Sequence, residues 1–104
     1  MRLINDHFIN ERNTSFYAQQ LGLTNKKLNL ISLKHTGKTI KQLLLERLVL
    51  ETKKEIYLGK KNLKEITFNL GFNAPSYFTR FFKKYTGITP TEFIERQKVQ
   101  VKGQ

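Results

Sequence analysis

The chain of 104 residues contains no cysteine. A disulfide framework and a thiolate metal site are therefore excluded. Its two histidines, His7 and His35, lie far apart and share no metal-ligand spacing with the eight acids. No apolar run approaches the roughly 18 residues of a membrane span, and no signal peptide opens the chain. A cytoplasmic protein is expected, with no membrane partner. Strand signals are missing too: apolar residues do not alternate over any useful length, and no Asn-Gly dipeptide marks a hairpin. There is no phosphate loop and no nucleophile motif. The expectation is a protein that is not an enzyme and holds neither metal nor cofactor. Apolar residues make up 38% of the chain, enough for the modest core of one domain but not for a deep catalytic cleft.

Acid is the scarcest chemistry relative to its opposite. Eight Asp and Glu stand against 19 Lys and Arg, a net charge of +11. Such an excess points to a polyanionic partner, nucleic acid or an anionic surface. The distribution sharpens the point. No acid occurs between Glu11 and Glu46, a stretch holding Arg12, Lys26, Lys27, Lys34, Lys38 and Lys41. None occurs between Glu65 and Glu92, a stretch holding Arg80, Lys83 and Lys84.

What is present repeats with helical period. Leu3, Ile4, Phe8 and Ile9 predict a first helix over residues 2–11. Asn13-Thr14-Ser15 reads as a turn and cap, and Phe16, Tyr17, Ala18 and Leu21 lie on a short helix ended by Gly22. Thr24 caps the next, with Leu28, Ile31 and Leu33 as its apolar positions. Lys38 or Thr39 begins a long helix whose stripe is Ile40, Leu43, Leu44, Leu48 and Ile56, closed by Gly59. Asn62 to Glu65 reads as a capping box before Leu63, Ile66 and Leu70. After Gly71 a further helix carries Tyr77, Phe78, Phe81, Phe82 and Tyr85, of which Tyr77, Phe78, Phe81 and Phe82 are spaced as a core face rather than as base-stacking aromatics. Thr89-Pro90-Thr91-Glu92 is a second capping box, with Pro90 at the first helical position. The reading is an all-α chain of seven helices.

The chain also repeats itself. Ala18-Gln-Gln-Leu21-Gly22-Leu23-Thr24 is echoed by Thr67-Phe-Asn-Leu70-Gly71-Phe72-Asn73 at an offset of 49. Leu28 through Gly37 is echoed by Phe78 through Gly87 at an offset of 50. Each copy is a short helix, a Leu-Gly-apolar turn and a second helix, which is helix-turn-helix grammar. In such a unit the second helix offers its outward N-terminal residues to base edges in the major groove. Those positions are Lys26, Lys27, Asn29 and Leu30 in the first copy, and Pro75, Ser76, Thr79 and Arg80 in the second. Arg80 can bond guanine O6 and N7 bidentately, and Asn29 can bond adenine in the same way. Lys27, Lys34, Lys38, Lys83 and Lys84 are expected at phosphates.

Ile66-Thr-Phe-Asn-Leu-Gly71-Phe72, Ser76-Tyr77-Phe78-Thr-Arg80-Phe-Phe82-Lys83 and Gly87-Ile-Thr89-Pro90-x-x-Phe93 closely resemble the C-terminal signature of the AraC/XylS family of bacterial transcription regulators. Ala18, Leu21-Gly22, Leu28, Gly37, Arg47-Leu48 and Lys53 extend the resemblance over residues 1–96. It implies two helix-turn-helix subdomains joined by a long linker helix over 39–57, with recognition helices over 25–36 and 74–85 entering successive major grooves. The positions matching the family's base contacts are Lys26, Asn29, Leu30, Pro75, Ser76, Thr79 and Arg80. As subdomains, residues 1–38 form the first unit, 39–59 the linker, 60–97 the second unit and 98–104 a frayed tail. The resemblance further implies double-stranded DNA as partner, with RNA polymerase or an effector-dimerisation domain beside it, in the cytoplasm at the nucleoid. Family members often carry such a domain ahead of this one; because Met1 runs straight into the first helix, an excised domain is expected rather than a minimal stand-alone regulator.

There are departures. Leu30 stands where Arg is common, Ser32-Leu33 replace an apolar-then-Lys pair, Thr52 and Thr67 stand where Ala is usual, and Ile94 where a closing Arg is usual. Three other readings compete: a membrane-surface amphipathic protein, an RNA-binding module and a basic protein-docking module. The apolar faces look committed to one another, which argues against the first. RNA-type stacking or Gly-rich motifs are absent, which argues against the second. Steep salt dependence of duplex binding separates DNA recognition from the third.

Overall fold

The computed structural model describes residues 2–102, with side chains placed for residues 2–97. Seven helices account for the described chain: α1 (Arg2–His7), α2 (Thr14–Gln20), α3 (Asn25–Thr36), α4 (Ile40–Leu58), α5 (Leu63–Asn69), α6 (Pro75–Thr86) and α7 (Pro90–Lys102). Among the described residues no strand occurs. The chain divides into two compact units, one ending at Leu48 and the other starting at Val49, so the division falls within α4.

In the first unit the core is Ile4, Phe8, Tyr17, Ala18, Leu28, Ile40, Leu44 and Leu48. Helix α1 ends at His7, short of the expected 2–11, although Phe8 and Glu11 still donate their N–H groups to Ile4 and His7, both at 2.8 Å. The segment after it is held from the other side. The buried Tyr17 phenol donates to the Glu11 carbonyl at 2.6 Å, and Asn13 caps α2 by accepting from the Ser15 N–H. The Arg47 guanidinium lies 4.3 Å from the centre of the Phe8 ring, and its Nε donates to Asn5 at 2.9 Å.

The second unit buries Thr52, Ile66, Thr67, Leu70, Phe78, Phe82 and Pro90. Its aromatic rings pack tilted or edge-on: Phe72 against Phe78 at 5.3 Å, Phe78 against Phe82 at 6.1 Å, and Phe82 against Phe93 at 5.8 Å. These are favoured geometries for quadrupolar rings. Buried Thr67 is satisfied by donating its hydroxyl to the Leu63 carbonyl at 2.9 Å, so a threonine fits where an alanine is usual. On α4 the fully buried positions are Ile40, Leu44, Leu48 and Thr52, one every four residues, while Leu43 and Ile56 are half-buried. The apolar stripe includes Ile56, but the polar Thr52 takes the buried place because it continues the i, i+4 row.

The repeat is realised down to single hydrogen bonds. In the turn of the first unit Leu23 N–H donates back to Ala18 at 2.8 Å; in the second Phe72 N–H donates to Thr67 at 3.1 Å. Gly22 (φ 66°) and Gly71 (φ 86°) hold the left-handed conformation that this turn requires and that side chains with a Cβ disfavour. At the far end of each second helix a threonine locks the exit. Thr36 donates to Ser32 and Lys38 carbonyls, and Thr86 donates to Phe82 and Ile88 carbonyls. Each exit leads into a capping box: Thr39 with Gln42, and Thr89 with Glu92. The Asn62–Glu65 box expected at α5 is also present.

The copies differ at their entries. Thr24 caps α3 by accepting the Lys27 N–H at 3.1 Å. The extra residue before α6 leaves Ala74 as its cap, with no side-chain bond. Pro75 at the first position has no N–H to satisfy and a φ already suited to the helix.

Candidate nucleic-acid interface

Each second helix has one face fixed by burial, and the remainder follows from helical spacing. On α3 the inward residues are Leu28 and Ser32. Lys26, Lys27, Leu30, Leu33 and Lys34 are exposed on the opposite side, with Asn29 half-buried on the flank. Neither Ile31 (40% exposed) nor Leu33 (43%) belongs to the core, contrary to the expectation from the apolar count. Ser32 takes the inward place. Its hydroxyl donates to the Lys38 carbonyl at 2.7 Å, so the buried polar group is satisfied.

On α6 the inward residues are Phe78 and Phe82, and the outward set is Ser76, Tyr77, Arg80, Lys83 and Lys84. Pro75 is exposed at the helix start, and Thr79 is half-buried at the flank position that Asn29 holds on α3. The Arg80 guanidinium lies 5.1 Å from the centre of the Tyr77 ring, which aligns it without neutralising it. Among the described residues Arg80 makes no ion pair with an acid. Tyr77 was expected in the core but is 56% exposed. Its place is visible in the repeat: at the offset of 50 it corresponds to outward Lys27.

Both helices carry basic residues in the last turn, Lys34 and His35 on α3 and Lys83 and Lys84 on α6, and neither has an acid in its first turn. The N-terminal dipole of each helix is thus left free to act on an anion. Lys84 Nζ lies 5.9 Å from the Tyr85 ring centre.

Two expected contacts are otherwise engaged. The Asn29 side-chain carbonyl accepts the Ile40 N–H at 3.1 Å, which ties α3 to the start of α4 within the first unit. An adenine held bidentately needs that same oxygen. Lys38 is ion-paired with Glu46, so its ammonium already has an anion. Asn29 also borders an open polar hollow with Arg12, Asn13, Asn25 and Lys41. Burial lowers the pKa of the Arg12 guanidinium there. Among the described residues no group of histidines and acids could hold a metal ion, and no helix is long and apolar enough to cross a membrane.

This arrangement has relatives. A family described as a helix-turn-helix domain matches residues 17–96. An uncharacterised HTH-type transcriptional regulator in the cgkA 5' region of Pseudoalteromonas carrageenovora is 32% identical over 93 residues, covering 89% of this chain and 55% of that protein. The HTH-type transcriptional regulator GadX of Escherichia coli O6:H1 is 30% identical over 94 residues, covering 90% of this chain and 34% of its own length. The chain thus spans between about a third and about half of these curated relatives. Among solved structures, a DNA-binding transcriptional dual regulator from Escherichia coli K-12 superposes with a TM-score of 0.74 at 27% identity, over 91% of this chain and 90% of that one. The C-terminal domain of the two-component response regulator yesN from Fusobacterium nucleatum shares the fold, with a TM-score of 0.81 at 24% identity over 89% and 91% of the two chains. With two helix-turn-helix units, an acid-free second helix in each and these relatives, the chain belongs to the AraC-type helix-turn-helix family of transcription regulators.

Proposed function

We propose that this chain binds double-stranded DNA sequence-specifically through α3 and α6, set into successive major grooves, and that it does so in the cytoplasm at the nucleoid. The observation that carries the reading is Arg80. It is an exposed guanidinium aligned on the Tyr77 ring, without an acidic partner among the described residues, on the outward face of a helix whose inward face is phenylalanine core. Its fork suits guanine O6 and N7. Lys26, Leu30, Pro75, Ser76 and Thr79 flank the base edges in this reading. Lys27, Lys34, Lys83 and Lys84 take phosphates, where a point charge suffices. Asn29 serves first as a tie between α3 and α4, and the Lys38 ammonium is shared with Glu46, so both contribute less to DNA in this reading. RNA polymerase, or an effector-dimerisation domain in the same regulator, is the protein partner proposed beside DNA.

The test is selection from a random-sequence duplex pool near physiological salt. Enrichment of an asymmetric site with two short elements about one helical turn apart is the expected result. Retention without enrichment would leave the charge but remove the base contacts. No retention would move the protein to the docking class.

A further inference from the structure

Helix α3 buries Leu28 and exposes its lysines as an amphipathic helix does, but departs from that pattern at three positions. A serine faces the core and two leucines face out. Leu30 is 59% exposed and Leu33 is 43% exposed, while Ser32 is buried. At the offset of 50 these three positions correspond to Arg80, Lys83 and Phe82 on α6, where the cations face out and the phenylalanine faces in. The inversion is not a misfit. Helix α3 is anchored by polar ties: Thr24 to the Lys27 N–H, Asn25 to Ser15 at 2.9 Å, Asn29 to the Ile40 N–H and Ser32 to the Lys38 carbonyl. With Leu28 in the core, Leu30 and Leu33 are left for the outward face, three residues and so about one helical turn apart.

That face is framed by Lys26, Lys27 and Lys34, with no acid on the helix. The charge commits the occupant to a polyanion. Of the groups that base pairs present in the major groove, the apolar one is the C5-methyl of thymine. We propose that Leu30 and Leu33 read thymine methyl groups, so that the first recognition helix selects a thymine-containing element by apolar contact while the second selects guanine by Arg80. This rests on the DNA-reading function proposed above.

Deoxyuridine differs from thymidine by that methyl alone and pairs identically. A duplex retained by the wild-type chain is remade with uracil at one thymine at a time, and affinities are compared for the wild type and for the double variant Leu30→Ala, Leu33→Ala. The expected result is a loss of about fourfold per methyl for the wild type. It should fall at thymines outside the element whose preference Arg80→Ala relaxes. The double variant should bind both forms alike while keeping the wild-type unfolding midpoint, since neither leucine is in the core. Equal wild-type affinity for the thymine and uracil forms would overturn the inference, as would an equal uracil penalty in the double variant. Failure of the wild-type chain to retain any duplex would instead reject the DNA reading, and this inference with it.

Discussion

The Asn29 side-chain carbonyl accepts the backbone N–H of Ile40 at 3.1 Å, joining the middle of α3 to the first turn of α4. Ile40 is fully buried, so its N–H sits where water is scarce. A residue in the position of a base reader therefore works first as a structural tie. The two roles can be separated.

Asn29→Ala removes the acceptor and leaves the Ile40 N–H unsatisfied, at an expected cost of about 1–2 kcal/mol. For a domain of this size that lowers Tm by several degrees. Asn29→Asp keeps an acceptor, now charged and favoured at a helix N-terminus, and should retain most of the stability. Thermal unfolding of the three proteins checks this. An alanine variant that melts with the wild type, but shows altered site preference, would return Asn29 to the base-reading role alone.

Arg80→Ala should weaken binding to the preferred duplex by ~1–3 kcal/mol and relax one base position, with the melting curve unchanged because the side chain is exposed. Arg80→Lys keeps the charge and loses the fork, so it should restore phosphate-level affinity without the base preference. Tyr77→Leu removes the ring beneath the guanidinium. The expected loss is smaller, about 0.5–1 kcal/mol, and confined to the base that Arg80 reads. Titration against the preferred site and a site altered at that base separates the three. Equal affinity of wild type and Arg80→Ala for the preferred site would remove Arg80 from the reader.

Most of the fold was legible because its signals are local. Caps such as Thr24, Asn62 and Thr89, and the Leu-Gly-apolar turns, act over three to five residues, and the structure realises each of them. The misses arise where a side chain's partner is distant in sequence or where polarity misleads. Ser32 and Thr52 are buried because each sits in an i, i+4 row, and no hydropathy count selects them. Ile31 and Leu33 are apolar, yet the i, i+4 row of Leu28 leaves both outside the core. The Asn29–Ile40 and Lys38–Glu46 ties span 11 and 8 residues, and no local pattern announces them. Tyr77 and Leu33 could have been placed from the repeat, since their counterparts Lys27 and Lys83 are cations that must face water.

Binding should weaken steeply with salt, because each phosphate neutralised contributes a log–log slope of about −0.9. Lys83→Ala or Lys84→Ala should each flatten that slope by about one unit and leave the enriched sequence unchanged. Both lysines are exposed on the last turn of α6, so stability is not expected to move. Affinity measured from low to moderate salt decides this. A slope unchanged in both variants would place these lysines off the backbone, as solvated surface charge. Lys38→Ala provides a contrast: its ammonium is held by Glu46, so a smaller change in slope is expected.

The second capping box gives a pH prediction. Glu92 accepts the Thr89 N–H at 3.2 Å, while Thr89 Oγ1 accepts the Glu92 N–H at 3.1 Å. The bond from the Thr89 backbone, then that from its side chain, holds the Glu92 carboxyl below its ordinary value. A carboxyl lowered on folding contributes stability above its unfolded pKa and loses it as pH falls through the folded one. The contribution is therefore complete near neutrality and disappears below the ordinary carboxylate range. Glu92→Gln keeps a capping acceptor and removes the titration. Its unfolding midpoint should change less between neutral pH and pH 3 than that of the wild type. Parallel acid limbs in the two proteins would mean that the Glu92 carboxylate is not stabilised in the folded chain, and that the box at the start of α7 owes nothing to charge.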